Sequence, residues 1–174
     1  MKNYECRFCR CNVNHLFIDL GTSPLSNAFL KEENLEKLEK VFPLKVFVCE
    51  NCFLVQLPEF ESPENIFNEY VYFSSYSKIW LKHAESYADM ISEKIRLGKD
   101  SLVIELASND GYLLQFFKKQ GIPVKGIEPA RNVAKIAEEK GIETIVEFFG
   151  EKLAQKLSSE DTKADLIIGN NVLA

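Results

Sequence analysis

Two cysteine pairs, Cys6-x-x-Cys9 and Cys49-x-x-Cys52, constrain the front of this chain more than any other feature. Two residues between cysteines let one turn of backbone present both sulfurs to a tetrahedral ion. Gaps of about 15–20 residues between such pairs are usual. Here residues 10–48 intervene, a longer insertion that must loop back to bring the pairs together. A redox dithiol would need a thioredoxin-like βαβ context, which neither pair has. Cys6, Cys9, Cys49 and Cys52 therefore read as a four-thiolate zinc site. Four sulfurs leave no open coordination position, so the metal is structural; in so small a module it contributes roughly 10–16 kcal/mol. Cys11 is a fifth sulfur, a free thiol able to compete with Cys9, and His15 is a second competitor.

Thiolate ligands need a compartment that keeps thiols reduced, so the expected location is the cytoplasm. The start, MKNYECRFCR, lacks the apolar core of a signal peptide. No apolar run approaches the ~20 residues that cross a bilayer. The net charge of −5 comes without a dense basic stripe, which argues against nucleic acid as a partner.

Residues 1–60 read as irregular and turn-rich, with short apolar runs at 16–20 and 44–48. The charged stretch 31–40 reads as a solvated face. Ser62-Pro63-Glu64 is a helix start: a capping hydroxyl, a proline in the first turn, then an acid favoured by the dipole. After the aromatic stretch 70–76, Ser77 caps a longer helix predicted to end near Leu97, with Gly98 as its stop. Trp80, Ala84, Tyr87, Ala88, Ile91 and Ile95 recur at helical spacing and mark its buried face. His83 lies one step off that stripe.

From residue 100 the texture becomes regular. Strands are predicted at 101–107, 123–127, 143–149 and 164–169, with helices at 112–120, 130–140 and 151–157 between them. Gly121 and Gly141 stop the first two of these helices. That alternation means βαβ units on a parallel sheet with right-handed crossovers. The fold class is α/β: a zinc module over 1–61, bridging helices and an aromatic loop over 62–98, and a Rossmann-like half-sheet over 99–174.

The turn after the first strand of that sheet is Glu105-Leu106-Ala107-Ser108-Asn109-Asp110-Gly111. Dinucleotide-like ligands sit at such turns, and the phosphate-cradling version is G-x-G-x-x-G. Only Gly111 is a glycine here, while Glu105 and Asp110 would repel a pyrophosphate. That disfavours an NAD-linked oxidoreductase and suits a cationic ligand such as S-adenosylmethionine (SAM). Glu128, at the end of the second strand, is placed to accept both ribose hydroxyls.

Taken together, these segments resemble a family of SAM-dependent C-methyltransferases that carry an N-terminal zinc-binding domain. The carrying residues are Cys6-Arg7-x-Cys9, Asp19-Leu20-Gly21-x-x-Pro24-Leu25-x-Asn27 and Cys49-x-x-Cys52-x-x-Val55-Gln56-Leu57. The resemblance continues through Tyr70-x-Tyr72-x-Ser74-Ser75, Glu105-x-x-x-Asn109-Asp110-Gly111, Glu128-Pro129, Phe148-Phe149 and residues 171–174. The best-known members methylate carbon 3 of nucleotide-linked keto-deoxysugars.

The resemblance implies a reaction in which a base removes the proton beside the ketone and the enolate carbon takes the SAM methyl group. It places Glu105, Ala107, Asn109 and Gly111 along the methionine end of SAM, Glu128 on the ribose, Glu147 and Phe148 at the adenine edge, and Asn170 facing the cofactor. Tyr72, with Tyr70 second, matches a family tyrosine that approaches the sugar; the alternative is that this aromatic loop only packs. A phenol of ordinary pKa near 10 suits a proton donor or enolate ligand better than a base. In the family the sheet continues for several strands, so the chain is expected to be a fragment, a truncated product, or completed by a partner. Two readings stay beside this one: a non-catalytic zinc module fused to a degenerate nucleotide-binding half-domain, and an O- or N-methyltransferase.

Overall fold

The computed structural model describes residues 4–67 and 69–172. The chain divides into two compact units, Met1–Ile66 and Phe67–Ala174. In the first unit, β1 (Tyr4–Glu5) pairs antiparallel with β2 (Asn12–Val13). A second sheet runs in the order β3-β4-β5, built from His15–Ser23, Phe42–Val48 and Val55–Gln56. The region expected to be irregular is therefore largely strand. The two apolar runs pair with each other, Leu16 opposite Phe47 and Ile18 opposite Val46, because neither can bury its apolar side alone. An Asp19–Lys45 ion pair at 2.8 Å fixes the register between them.

That ladder also spans the long insertion between the cysteine pairs. His15 sits opposite Val48, so β3 starts just after the first pair and β4 ends just before the second. The buried core of this unit among the described residues is small: Cys6, Val13 and Cys49, flanked by Cys9, Phe47, Cys52 and Leu54. Much of β3 is exposed.

In the second unit, α1 (Pro63–Phe67) leads in from the first, and Ser62 Oγ accepts from the Asn65 N–H at 3.4 Å. Ser77 caps α2 (Lys78–Ile95), accepting from the Trp80 N–H at 3.2 Å. The helix ends at Arg96 and not at Gly98: Arg96 itself takes the left-handed conformation, and the Leu97 N–H returns to the Ser92 carbonyl. Gly98 instead closes the next turn, its carbonyl accepting from Ser101 N–H. The buried stripe of α2 runs through Ala84, Ala88 and Ser92, with Leu81, Tyr87 and Ile91 packed beside it. Ile95 lies outside it, and Trp80 is 39% exposed, stacked between His83 and Tyr112.

Beyond α2 the alternation is β6 (Val103–Leu106), α3 (Leu114–Lys119), β7 (Val124–Ile127), α4 (Arg131–Glu139), β8 (Thr144–Ile145), α5 (Glu151–Ser159) and β9 (Leu166–Gly169). All four strands are parallel, in the order β8-β7-β6-β9. The third strand is much shorter than the predicted 143–149; the chain leaves the sheet after Ile145, and Val146, Phe148 and Phe149 are partly exposed. The order reverses between β6 and β9, which makes their C-terminal ends the topological switch point of a doubly wound sheet. Side chains alternate across β6. Val103 joins the cluster with α2 and α3, while Ile104 and Leu106 face α5. No helix among the described residues is long and apolar enough to cross a membrane.

Gly111 shows why a glycine survives in the turn after β6. Its φ is +73°, and a Cβ there would collide with Ile142 Cδ1 and lie 3.3 Å from Ala137 Cβ. Gly111→Ala should therefore destabilise the second unit by about 1–3 kcal/mol, from strain and overpacking together. Thermal unfolding of the full chain checks this; an unchanged transition would mean that α4 can move aside freely.

Candidate functional site

The two cysteine pairs form two copies of one backbone turn. In the first, Cys6 N–H donates to Cys11 C=O at 2.8 Å and Arg10 N–H to Cys6 C=O at 2.9 Å. In the second, Cys49 N–H donates to Leu54 C=O at 3.0 Å and Phe53 N–H to Cys49 C=O at 2.9 Å. Arg10 and Phe53, each just past its pair, both adopt left-handed φ, of 63° and 60°. Glycine is the easy residue at such a position, and its absence at both turns is tolerated at a modest strain cost.

The turns bring all four sulfurs within 4.8 Å of one another. Cys6 Sγ lies 3.6 Å from Cys52 Sγ, and Cys9 Sγ 3.5 Å from Cys49 Sγ. Disulfides need about 2.05 Å. A tetrahedron with Zn–S bonds of about 2.3 Å has edges of about 3.8 Å, which these separations fit. Four thiolates so close repel one another unless a cation sits among them. Cys6 is pulled down to about 6, first by the Cys9 N–H, against its burial and with help from the Gln56 amide. Cys52 goes the other way: the Leu54 N–H pulls it down, but burial and the other three sulfurs push it up to about 12. A divalent ion removes that conflict.

Gln56 bridges the two turns, a contact that sequence spacing does not reveal. Its Nε2 donates to Cys6 Sγ at 3.2 Å while its Oε1 accepts from the Arg7 N–H at 3.1 Å. Neither Cys11 nor His15 belongs to the four-sulfur cluster; both are exposed.

The second constellation lies at the C-terminal ends of the parallel strands. Glu105 is 1% exposed on the face of β6 that also carries Val103. Neither of its carboxylate oxygens has a hydrogen-bond partner. Burial raises its pKa well above the ordinary value, and the Glu128 and Asp110 charges add to that. The Tyr112 hydroxyl nearby works the other way without reaching hydrogen-bonding geometry. That hydroxyl accepts from Asn170 Nδ2 at 3.0 Å, which brings Asn170, just past β9, to the switch point.

Ala107, Asn109 and Gly111 have φ of 50°, 51° and 73°. The turn therefore has the left-handed backbone of a glycine-rich loop at alternate positions while holding one glycine. Asn109 tolerates this because its Oδ1 accepts from the next N–H, that of Asp110, at 2.9 Å. Gly126 allows β7 to come close, since a Cβ there would lie 2.5 Å from Ser108 Oγ.

Glu128 is buried and already engaged. Oε2 accepts from Asn109 N–H at 2.9 Å and Oε1 from Ala130 N–H at 2.8 Å. Burial raises its pKa, and those two N–H groups oppose the rise. Glu147 is exposed, and Phe148 meets Phe67 edge-on at 6.4 Å.

The aromatic stretch runs across these turns. Tyr70 N–H donates to Asn132 Oδ1 at 2.9 Å, and Asn132 Nδ2 to Tyr70 C=O at 2.7 Å. Asn109 Nδ2 donates to Tyr72 C=O at 3.0 Å, and its Oδ1 accepts from Ser74 N–H at 2.9 Å. Lys140 Nζ donates to Ser75 Oγ at 2.8 Å and to Asp110 C=O at 2.7 Å. The Tyr72 side chain is half-exposed. Lys140 and Asn132 were not singled out from sequence; a lysine and an asparagine on a helix carry no signal of a distant partner.

Comparisons with known proteins follow the same two-part division. Residues 6–67 match the family described as "Putative zinc binding domain". The chain is 32% identical over 170 residues to the C-methyltransferase NovU of Streptomyces niveus, covering 98% of this chain and 40% of that protein. The chain thus spans under half the length of that relative. Among solved structures, the MccD protein aligns at a TM-score of 0.31 and 23% identity, over 49% of this chain and 32% of that one. A SAM-dependent methyltransferase from Archaeoglobus fulgidus aligns at 0.30 and 19%, over 44% and 33%.

Two predictions follow from this geometry. Cys49→Ser should lose the single zinc per chain measured by elemental analysis, while Cys11→Ser keeps it; full zinc in the Cys49 variant would point to Cys11 or His15 as a ligand. Glu105→Gln should stabilise the ligand-free chain at pH 8 by about 1–3 kcal/mol. A carboxyl with a raised folded pKa binds its proton more tightly in the fold. Its stabilising contribution is full below the unfolded value near 4.5 and is lost as pH rises towards the folded value. The gap between variant and wild type should therefore close near pH 4, and a pH-independent gap would contradict this. Residues 6–67 carry the zinc-binding domain of the matched family, and the chain as a whole is a homologue of a C-methyltransferase.

Proposed function

We propose that this chain binds SAM at the C-terminal ends of β6, β7 and β9 and serves the C-methylation of a nucleotide-linked keto-sugar, in the cytoplasm. The observation that carries the reading is Glu105: a buried carboxylate with both oxygens unpartnered, at the switch point of a parallel sheet. Leaving such a group unsatisfied costs folding free energy, which a cationic, hydrogen-bonding ligand would recover. The methionine end of SAM carries an ammonium of that kind. The 32% identity to a C-methyltransferase supports the same reading.

In this reading Glu105 receives the ammonium, with Asn170 and Tyr112 beside it. The left-handed turn at Ala107, Asn109 and Gly111 brings backbone close to the ligand. Glu128, held by the Asn109 and Ala130 N–H groups, keeps lone pairs for ribose hydroxyls. Glu147 and Phe148 border the adenine. SAM supplies an electrophilic methyl group. A base removes the proton beside the sugar ketone, and Tyr72, or Tyr70, donates a hydrogen bond to the enolate oxygen, whose stabilisation is the main electrostatic demand of the step. The zinc holds the first unit folded and takes no part in the chemistry.

Calorimetric titration of the zinc-loaded chain with SAM tests this. One ligand per chain is expected, and no heat at about 1 mM ligand would overturn the assignment. Binding should weaken as pH falls from 8, because protonating Glu105 removes the partner of the ammonium. Glu105→Gln should bind about tenfold more weakly at pH 8 and lose that pH dependence. Supply of candidate keto-sugars with labelled SAM then separates carbon from oxygen or nitrogen methylation.

A further inference from the structure

The segment 70–75 is attached to its unit in an unusual way. Val71, Tyr72 and Phe73 are 50%, 51% and 37% exposed, so apolar burial does not hold it. Ser74 is its buried residue. What holds it is a set of side chains from the sheet loops that reach its backbone: Asn132 at Tyr70, Asn109 at Tyr72 and Ser74, and Asp110 at the Ser75 N–H, 3.2 Å away. Lys140 closes the set through Ser75 Oγ and lies 3.4 Å from Asp110 Oδ2. The backbone is thus fixed at four successive points while the aromatic side chains remain free to meet a ligand.

The same residues face the other way as well. Asn109 N–H holds one oxygen of Glu128, and the N–H holding the other, that of Ala130, belongs to the residue preceding α4. Asn132 is the second residue of α4. The strap and Glu128 are therefore built on one shared framework of the β6 and β7 loops. This also accounts for asparagine and aspartate where a phosphate-cradling turn would carry glycine: both side chains are occupied with the strap.

We propose that Asn132, together with Asn109 and Asp110, is a positioning residue. It locks the 70–75 strap across the loops after β6 and β7, so that a nucleoside ligand is held between the strap and the sheet end. The inference rests on the SAM reading above. A ligand bound there stabilises the strap, and a loosened strap weakens the ligand by the same factor.

The test uses the full zinc-loaded chain, with S-adenosylhomocysteine as the probe in calorimetry and in hydrogen exchange of peptides covering 69–77. Asn132→Ala should speed exchange of the strap amides about tenfold while leaving 103–106 protected, and should raise the Kd about tenfold. Asn132→Asp keeps the acceptor for the Tyr70 N–H and should recover much of both. It also carries the test if the alanine variant does not fold. In the wild type the probe should slow exchange across 70–75. Faster strap exchange with an unchanged Kd would overturn the inference and leave the SAM reading standing, as would strap exchange that the variants do not alter. No binding by the wild type would remove the SAM reading itself, and the inference with it.

Discussion

Both units of this chain bury more negative charge than they neutralise, and much of their architecture follows from that. In the first, four sulfurs lie within 4.8 Å of one another and form most of a very small core. Mutual repulsion pushes the last thiol up to about 12 while the hydrogen bonds of the turns pull the first down to about 6. A divalent cation reconciles these demands, and with so little apolar burial nothing else in the unit could take its place. In the second, Glu105, Asp110 and Glu128 are all at most 6% exposed around the first two strands, with Lys140 the cation that reaches one of them. Glu128 is satisfied by backbone N–H groups; Glu105 is not.

The turn after β6 manages this charge through its backbone. Left-handed residues at 107, 109 and 111 expose successive peptide groups while the side chains between and upon them do separate tasks. Ser108 packs under Gly126, Asn109 and Asp110 reach the aromatic segment, and Gly111 sits where any Cβ would strike Ile142. Strain at such residues persists only where the surroundings over-determine it, and functional loops are where it collects.

Much of this was legible beforehand. The pairing of Cys6 and Cys9 with Cys49 and Cys52, the parallel alternation after residue 100, the cap at Ser77 and the turn at 105–111 all follow from local spacing and residue type. What spacing missed shares one cause. The 16–20 and 44–48 runs looked like fragments of irregular chain because each is short, and their worth as strands lies in pairing with each other. Arg96 ends α2 in place of Gly98 because the geometry of the last turn, not residue type alone, selects the left-handed residue. The third strand stops after Ile145 although its apolar pattern continues, since only Gly126 and Ile127 of β7 offer it a ladder.

By itself the sequence determined the metal chemistry, the α/β class and the position of the acidic turn, because each depends on residues a few positions apart. Only the tertiary structure decided which acid is left without a partner, how a nearly glycine-free turn keeps a glycine-like backbone, and that Asn109 and Asn132 hold a segment some 35 and 62 residues before them. Those outcomes rest on contacts between distant parts of the chain, and a hydrogen bond across such a separation leaves no mark in local pattern.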